Sequence, residues 1–484
     1  MEPRNEQYDV VVIGTGIAGM SAALAASDQG ARVAVLERAT KEESGGNTRY
    51  TEAFLRMRSM SEPSDDFEET LLQDFMGYPD LGLLADSAKD YDRWPPLLKS
   101  MNIVDADVVS TFARSAGPTL EWLQGLGVQF DQADTPFIST STTRLAPVGG
   151  GWGMLDVLGA AAASRGIEFH YETTGQRLVQ SSAGAVTGVL ATRRTGEQVA
   201  FDGQVILASG GFEGNPELLA RYMGSRSMFQ RPVARGGHYN KGEGIEMALA
   251  VGAAPTGNFG MFHAEPIDPR SSMAEPAVFI FPYGILVNTD GERFTDEGPG
   301  PVDAWYERVT RKIYEQDRGI AWVILDEQVE DIPGYGAAIR TDQPPIVADT
   351  ITDLATALAL PTERLEATVA AYNEACGEGE FDPLRPDGLR TSGVWPPKSN
   401  WARPVDSGPF RAYPIISANV FTFGGLKVTA DAQVVNHDGT AIPGLFAAGE
   451  VVGMYFTNYT GSTSVLKGAV FGNIAGRVAA RASA

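Results

Sequence analysis

Continuous apolar runs separated by small-residue turns open the chain, and this pattern predicts a nucleotide-binding β–α–β unit. Residues 10–13 form an unbroken apolar run suited to a buried parallel strand. Gly14, Gly16 and Gly19 follow in the spacing that gives a tight turn and lets a pyrophosphate approach a helix N-terminus. A second apolar strand ends at Glu37, whose carboxylate can accept hydrogen bonds from ribose hydroxyls. The unit predicts a dinucleotide cofactor, and a glycine-rich turn without a ligand is the alternative.

Three further segments in the middle of the chain have patterns that predict local structure. Alternating apolar residues over 185–194 and 198–209 flank a turn at 195–197 and predict a β-hairpin. Helical periodicity predicts a helix over 362–377 that ends at a C-cap glycine. Residues 377–409 are rich in Gly, Pro and Asp with little periodicity, which indicates either a structured surface loop or a lid that contacts substrate.

The last helix is predicted over residues 465–482, with hydroxyl side chains ahead of it as N-cap candidates at Ser462, Thr463 and Ser464. Glycines recur at every fourth position along this helix, at 468, 472 and 476. One face is therefore nearly bare backbone, which suits close packing against either a neighbouring element or a cofactor.

Composition narrows the class of protein. The chain has 484 residues, 43% of them hydrophobic and 20% charged, as in an ordinary globular enzyme. A formal net charge of −23 opposes binding to nucleic acid or to an anionic membrane surface. The single Cys376 excludes an intrachain disulfide, a four-cysteine iron–sulfur cluster and a CxxCH haem site. With no metal-ligand cluster, no apolar run of membrane-spanning length and no secretory leader in the sequence, we predict a cytoplasmic protein.

Three later segments favour FAD over NAD. They are SGGNTRY at 44–50, QVILASGGF at 204–212 and IPGLFAAGEV at 442–451. An NAD domain has no need of the second and third, whereas flavoproteins with two dinucleotide-binding domains carry such segments. We therefore assign FAD.

These segments resemble those of the fumarate reductase/succinate dehydrogenase flavoprotein family along nearly the whole chain. Further markers are GGGWG (149–153), GEGIEMALAVGA (242–253), ILVNTDGERFTDE (285–297) and FGNIAG (471–476). Within the family, PPKSNWARP (396–404), AYP (412–414), TFGGLKV (422–428) and NYTG (458–461) are similar to the tricarballylate dehydrogenase branch.

The resemblance implies an α/β fold: a Rossmann-like FAD-binding domain of the two-dinucleotide-domain flavoprotein type with an inserted α+β capping domain. It implies an FAD-binding domain from residues 1–256 and 421–484, with the cap at 257–420. It also implies hydride exchange between flavin N5 and a carbon–carbon bond beside an electron-withdrawing group. Because residues 44–50 contain no histidine, FAD is predicted to be held non-covalently.

The cofactor-binding residues follow from the motifs. The last helix is expected to point its N-terminus at the flavin, where its dipole would stabilise negative charge on the reduced ring. The predicted FAD contacts are Gly14, Gly16, Ile17, Ala18, Gly19, Glu37, Arg38, Ser44, Gly45, Gly46, Asn47, Thr48, Gly149, Gly150, Gly151, Ala208, Ser209, Gly210, Gly449, Glu450, Ser464, Val465 and Leu466.

On the substrate side, the sequence departs from the family pattern at three positions. Pro301 stands where the proton-donating arginine is expected, Tyr459 where an arginine grips a substrate carboxylate, and Phe421 where a histidine precedes the paired glycines. Fumarate reduction by the usual residues is therefore not expected.

Candidate catalytic residues come from what remains. Tyr459 occupies a position where ketosteroid dehydrogenases also place a tyrosine, and it can donate to a substrate oxygen or act as a base if a cation lowers its pKa. Tyr306 is a second candidate base, and His263 can bind a carboxylate or move a proton. Arg308 leads the candidate carboxylate-binding cations, which also include Arg293, Lys398 and Arg403. Each also has a purely structural alternative, as a surface charge or a buried aromatic or histidine side chain.

The leading functional hypothesis is dehydrogenation of a tricarballylate-like polycarboxylate to its alkene. The alternative is a ketosteroid-dehydrogenase-like desaturase or ene-reductase that acts on a cyclic ketone. A non-catalytic electron-transfer or assembly subunit is a third possibility. The expected partners are a small carboxylate or ketone and a separate electron acceptor, namely quinone, an iron–sulfur protein or oxygen.

Overall fold

The computed structural model describes residues 4–64, 106–133, 137–139 and 144–483, together with residues 86, 93 and 95. In chain order the strands of these residues are β1 (Arg4–Ile13), β2 (Val33–Leu36), β3 (Phe130–Ala133), β4 (Arg144–Pro147), β5 (Glu168–His170), β6 (Thr173–Gln180), β7 (Val186–Arg193), β8 (Gln198–Leu207), β9 (Arg231–Pro232), β10 (Pro255–Thr256), β11 (Phe262–Ile267), β12 (Ile285–Val287), β13 (Ile320–Leu325), β14 (Ile346–Ala348), β15 (Phe410–Thr422), β16 (Gly425–Leu426), β17 (Gln433–Val435) and β18 (Ala441–Ala447). The α-helices are α1 (Ile17–Ser27), α2 (Ala106–Gly125), α3 (Gly150–Ser164), α4 (Pro216–Met223), α5 (Glu243–Ala250), α6 (Val302–Tyr314), α7 (Ile351–Leu358), α8 (Thr362–Ala375) and α9 (Ser464–Ser483).

The first sheet is the one predicted from the opening apolar run. Its strands lie in the order β17-β18-β8-β1-β2-β5, and β1 is parallel to both β2 and β8. Residues 10–13 of β1 are buried, as a central strand covered on both faces requires. Strands β7 and β8 pair antiparallel, so the predicted hairpin is present.

Helices α1 and α9 pack on this sheet against each other. A Cβ atom added at Gly472 would lie 2.3 Å from the Ala18 carbonyl oxygen, and one at Gly476 would lie 2.2 Å from that of Ala22. The glycines at every fourth position of α9 therefore allow helix–helix packing. Of the two predicted roles, this is packing against a neighbouring element.

The second sheet has the order β11-β15-β13-β12, with β14 and β9 also paired to β15. Helix α8 ends at Ala375, two residues before the glycine predicted to cap it. The following segment, 377–409, contains no strand or helix but packs on the second-sheet layer, because the buried Trp401 ring lies 5.5 Å from the Tyr283 ring and the Pro396 carbonyl accepts from Arg293 at 2.8 Å. It has the character of a structured loop.

Strand β15 of the second sheet ends at Thr422. The chain after it returns to the first sheet, where it forms β17 and β18. The division into 1–256, 257–420 and 421–484 remains a prediction. Across the described ranges, no helix combines the length and the apolar character needed to cross a membrane.

Candidate functional site

A cavity with about 1270 Å³ of empty volume, part of it open to solvent, runs along the carboxyl ends of the parallel strands of the first sheet. It extends from Glu37 past the glycine-rich turn after β1 to the N-terminus of α9 at Ser464. The cavity lies at this edge of the sheet because the parallel strands β1, β2 and β8 all end there. This is the usual ligand position in an open α/β sheet.

Glu37 is fixed by its own neighbours at one end of the cavity. It is 7% exposed, and one carboxylate oxygen accepts from the Thr15 backbone N–H at 3.1 Å and from the Thr15 hydroxyl. The other oxygen accepts from the Ala39 N–H at 2.8 Å. A carboxylate has about four acceptor positions, so one remains for a ribose hydroxyl.

The N-terminus of α1 is built to receive an anion. Gly16 is its N-cap and supplies no side-chain acceptor for the first-turn N–H groups. Thr48 reaches over from the SGGNTRY segment and accepts from the Ile17 N–H at 3.1 Å. A Cβ atom at Gly19 would lie 1.9 Å from the Gly14 carbonyl oxygen, which explains why glycine occupies the third motif position.

Two carboxylates lie deeper along the cavity, Glu213 buried and Glu450 partly exposed. The Glu450 carboxylate accepts from the Thr422 N–H at 2.8 Å and from the Asn240 side chain at 3.3 Å. Glu213 lies behind it and accepts from Asn47 at 2.8 Å and from Asn240 at 2.6 Å. Burial, and next the charge of Glu450, raise the pKa of Glu213 well above its usual range.

Most of the predicted cofactor residues line this cavity. They are Gly14, Gly16, Ile17, Ala18, Glu37, Arg38, Gly46, Asn47, Thr48, Ala208, Ser209, Gly210, Gly449, Glu450, Ser464 and Val465. Seven predicted residues lie outside its wall: Gly19, Ser44, Gly45, Gly149, Gly150, Gly151 and Leu466. The glycines at 150 and 151 pack instead on the backbone of residues 48–52, and Leu466 is fully buried in the core.

Several lining residues were not predicted. They include Thr15, Tyr239, Asn240 and Lys467. Thr15 had a local signal, because it lies inside the glycine motif. Lys467 lies within the predicted last helix, directly after the predicted contact Leu466, whereas Tyr239 and Asn240 reach the wall only through the packing of distant segments.

The Tyr459 hydroxyl sits at the N-terminus of α9. It accepts hydrogen bonds from the backbone N–H of Thr463 at 3.0 Å and of Ser464 at 3.1 Å, and it lies 3.1 Å from the Ser464 hydroxyl. The Tyr459 N–H donates to the Glu307 carboxylate at 2.8 Å, which fixes this segment to α6. Burial raises the pKa of Tyr459, and the hydrogen bonds with Ser464 and Thr463 oppose that shift.

His263 and Tyr306 form a buried hydrogen-bonded pair beside Tyr459. The His263 Nε2 atom lies 2.7 Å from the Tyr306 hydroxyl, and the His263 and Tyr459 ring centroids are 4.3 Å apart. Burial lowers the pKa of His263 well below its usual range and raises that of Tyr306 well above its own. Both groups are therefore neutral at neutral pH. Among the described residues, no hydrogen-bond partner is found for His263 Nδ1.

Aromatic rings complete the walls around Tyr459. The Phe421 ring centroid lies 5.0 Å and that of Tyr455 lies 5.4 Å from the Tyr459 ring. Phe421 also lines the cavity, so this aromatic cluster joins the flavin end of the site.

Arg308, the fourth predicted catalytic residue, is not in this cluster. Two residues correspond to about 200° around a helix, so Arg308 faces solvent when Tyr306 faces inward. Its guanidinium lies over the Trp305 ring at 4.7 Å and, with the Asn458 amide oxygen turned toward it, donates to that oxygen at 2.6 and 2.8 Å. The other cationic candidates contact the second-sheet layer instead: Arg293 pairs with Glu297, Lys398 donates to the Gly284 carbonyl, and Arg403 lies over the Phe381 ring.

A family model described as FAD binding domain matches residues 9–465. The chain belongs to the FAD binding domain family. Known members of similar sequence include a vinyl phenol reductase from Lactiplantibacillus plantarum, 27% identical over 92% of this chain and 90% of that protein. The predicted resemblance, the α/β fold class and the assignment as an FAD-dependent oxidoreductase are thereby confirmed.

Two solved structures share the fold. A flavocytochrome c3 fumarate reductase in its open conformation has a TM-score of 0.74 and 24% identity, covering 100% of this chain and 79% of that one. The 3-ketosteroid-Δ4-(5α)-dehydrogenase from Rhodococcus jostii RHA1 has a TM-score of 0.70 and 25% identity, covering 99% and 100%.

The cavity fits the cofactor of the family. Its length runs from Glu37, which keeps an acceptor position for a ribose hydroxyl, to the helix N-terminus at Ser464, and the N-terminus of α1, where Thr48 accepts from the Ile17 N–H, lies between them. These features match an adenosine end, a pyrophosphate and a flavin in that order. Non-covalent attachment stays a prediction.

Proposed function

We propose that this protein is an FAD-dependent ene-reductase that reduces a carbon–carbon double bond conjugated to a neutral oxygen function, such as a cyclic ketone or a phenol. The observation that carries the proposal is the Tyr459 hydroxyl, held by two backbone N–H groups at the N-terminus of α9 inside an aromatic cluster. Bound FAD would supply or accept the hydride.

Tyr459 is suited to polarise the substrate oxygen. A hydroxyl that accepts two N–H hydrogen bonds is a stronger donor to a third partner. Negative charge that develops on a carbonyl or phenolic oxygen there would be stabilised by the Tyr459 proton and by the α9 dipole. The raised pKa keeps Tyr459 protonated, which favours donor over base.

Tyr306 and His263 are suited to supply the proton. With Tyr306 protonated and His263 neutral, the Tyr306 hydroxyl can donate its proton to the substrate and can then receive a proton through His263. The raised pKa of Tyr306 makes it a poor base at neutral pH. The protonated Tyr306 is in the state that proton donation to a reduced substrate requires, while the relative potentials of flavin and substrate set the net direction.

The surrounding cations favour a neutral substrate. The Arg311 guanidinium next to this segment pairs with Glu307, and that of Arg144 pairs with Asp303 at 2.7 Å. A substrate carboxylate would have to compete with these partners or enter an aromatic wall with its charge unpaired, which is costly. The names of two similar proteins, the vinyl phenol reductase and the 3-ketosteroid dehydrogenase, support the same substrate class.

The tricarballylate hypothesis is the second candidate, on the strength of the NYTG and PPKSNWARP motifs. A cytoplasmic location and a separate electron-transfer partner remain predictions from the sequence.

An anaerobic half-reaction separates the two candidates. The flavin of the holoenzyme is reduced chemically and mixed with a neutral cyclic enone, and in parallel the oxidised holoenzyme is mixed with tricarballylate. The proposal expects rapid return of the oxidised flavin spectrum with the enone and no bleaching by tricarballylate. Bleaching by tricarballylate with no response to the enone would overturn it.

A further inference from the structure

Lys467 is a buried lysine in the wall of the FAD cavity. It is 2% exposed and lies in the first turns of α9. Its ammonium donates to the Val452 carbonyl at 3.0 Å and lies 4.8 Å from the centre of the Tyr455 ring. One carbonyl is a small share of the acceptors that three N–H donors require.

Two features of this position disfavour a permanent positive charge. The N-terminal end of a helix carries a partial positive charge, which repels a cation. Burial, partly offset by the charge of Glu450, lowers the pKa of Lys467 to about 7. A lysine of this kind is neutral or charged according to small changes in the surrounding charge.

The carboxylates opposite Lys467 form a second unit. Glu450 lines the cavity and Glu213 lies behind it, joined through the shared Asn240 side chain. Burial raises the pKa of both carboxyls, and the neighbouring charge of Glu450 raises that of Glu213 further, so ionisation of one carboxyl opposes ionisation of the other.

We propose that Lys467 takes up a proton from solvent when FAD in this cavity is reduced, in a wall that also holds the Glu450 carboxylate. Two-electron reduction brings a hydride equivalent from the external electron donor and adds one negative charge to the cavity. The donor is oxidised and the cofactor reduced, while the proton bound by the Lys467 amine cancels the new charge. The proposal rests on the assignment of FAD and not on the identity of the substrate.

Among the described residues, few other groups around Lys467 could make the flavin potential depend on pH. Glu450 and Tyr455 are the titratable groups that face it, and burial keeps Tyr455 protonated by raising its pKa well above the usual range. Helix α1, packed on this part of α9, presents Ile17 and Ala18 next to Gly468.

The test is the flavin midpoint potential of the holoenzyme as a function of pH, from about pH 6 to about pH 9 around the Lys467 pKa. Above pH 7 the wild type should show a slope steeper by about 30 mV per pH unit than Lys467→Met, since one extra proton accompanies two electrons. Lys398→Met is the matched control, because Lys398 is also buried but donates to the Gly284 carbonyl in the second-sheet layer. It should keep the wild-type slope.

Equal slopes in wild type and Lys467→Met would overturn the proposal. If that variant fails to hold FAD, Glu450→Gln decides the matter. Loss of the Glu450 charge should move the onset of the steep segment to lower pH, and an unchanged onset would count against Lys467. Because the titration uses no substrate, its outcome is independent of the ene-reductase proposal.

Discussion

Removal of the Tyr459 hydroxyl tests the catalytic arrangement. Tyr459→Phe keeps the ring and its contacts with His263 and Phe421 but deletes the oxygen that accepts from the Thr463 and Ser464 N–H groups. The variant should fold, since only one polar atom is lost.

The expected magnitude follows from the bonds removed. Loss of one preorganised donor to a developing oxyanion costs about 2.7–4 kcal/mol, or roughly a 10²–10³-fold lower kcat. Folding loses a comparable free energy: each of the two N–H groups that remain at the helix end costs about 1–3 kcal/mol if water cannot replace the hydroxyl. The kcat values are therefore compared at a temperature where the unfolding curve and the flavin spectrum show that the variant is fully folded.

The assay is steady-state turnover of a neutral enone under anaerobic conditions, with flavin content and thermal unfolding measured on the same samples. Tyr283→Phe is the control, because it deletes a buried hydroxyl that donates to the Pro383 carbonyl at 2.6 Å away from the aromatic cluster. It should lower stability by about 1 kcal/mol and leave kcat unchanged. A kcat for Tyr459→Phe equal to that of the control would refute the reasoning.

Three further outcomes are expected. Denaturation and ultrafiltration should release all the yellow colour into the filtrate, and colour that stays with the polypeptide would contradict non-covalent FAD. Glu37→Gln should raise the dissociation constant of FAD about tenfold or more, measured by fluorescence titration, because a ribose hydroxyl would lose its charged acceptor, and a hydrogen bond to a charged group contributes about 1.5–3 kcal/mol. Arg340→Met should lower the free energy of unfolding by roughly 1–2 kcal/mol at pH 8, since Arg340 pairs with Glu52 at 2.9 Å and with Glu275 at 3.6 Å, and all three side chains are partly exposed. Burial raises the pKa of Glu275 to about 7, so this side chain protonates more readily in the folded state. The loss of unfolding free energy in Arg340→Met should therefore shrink as pH falls toward 5 in denaturant titrations. A loss that does not depend on pH would argue against an electrostatic role.

The parts of the site that the sequence could predict are those carried by local motifs. The strand, glycine turn and acid ending at Glu37 lie within one short segment, so their geometry is set by neighbours along the chain. Tyr459 was found because it lies in the NYTG segment (458–461) and His263 because of its residue type, and the structure brings their rings to 4.3 Å.

What could not be predicted depends on helix phase and on sheet order. Arg308 and Tyr306 cannot both face the site from α6, a constraint that helical periodicity alone would have revealed. Glu213, Asn240 and Lys467 meet because β8, α5 and α9 converge on one cavity, and no pattern along the chain records that meeting.

The central claim is that the site reduces a double bond conjugated to a neutral oxygen function. Its most direct test compares two substrates of similar size, 2-cyclohexen-1-one and 1-cyclohexene-1-carboxylate, as oxidants of the reduced flavin in the holoenzyme. The account predicts that the neutral ketone reoxidises the flavin at least tenfold faster, which corresponds to about 1.4 kcal/mol. Faster reoxidation by the carboxylate would contradict it.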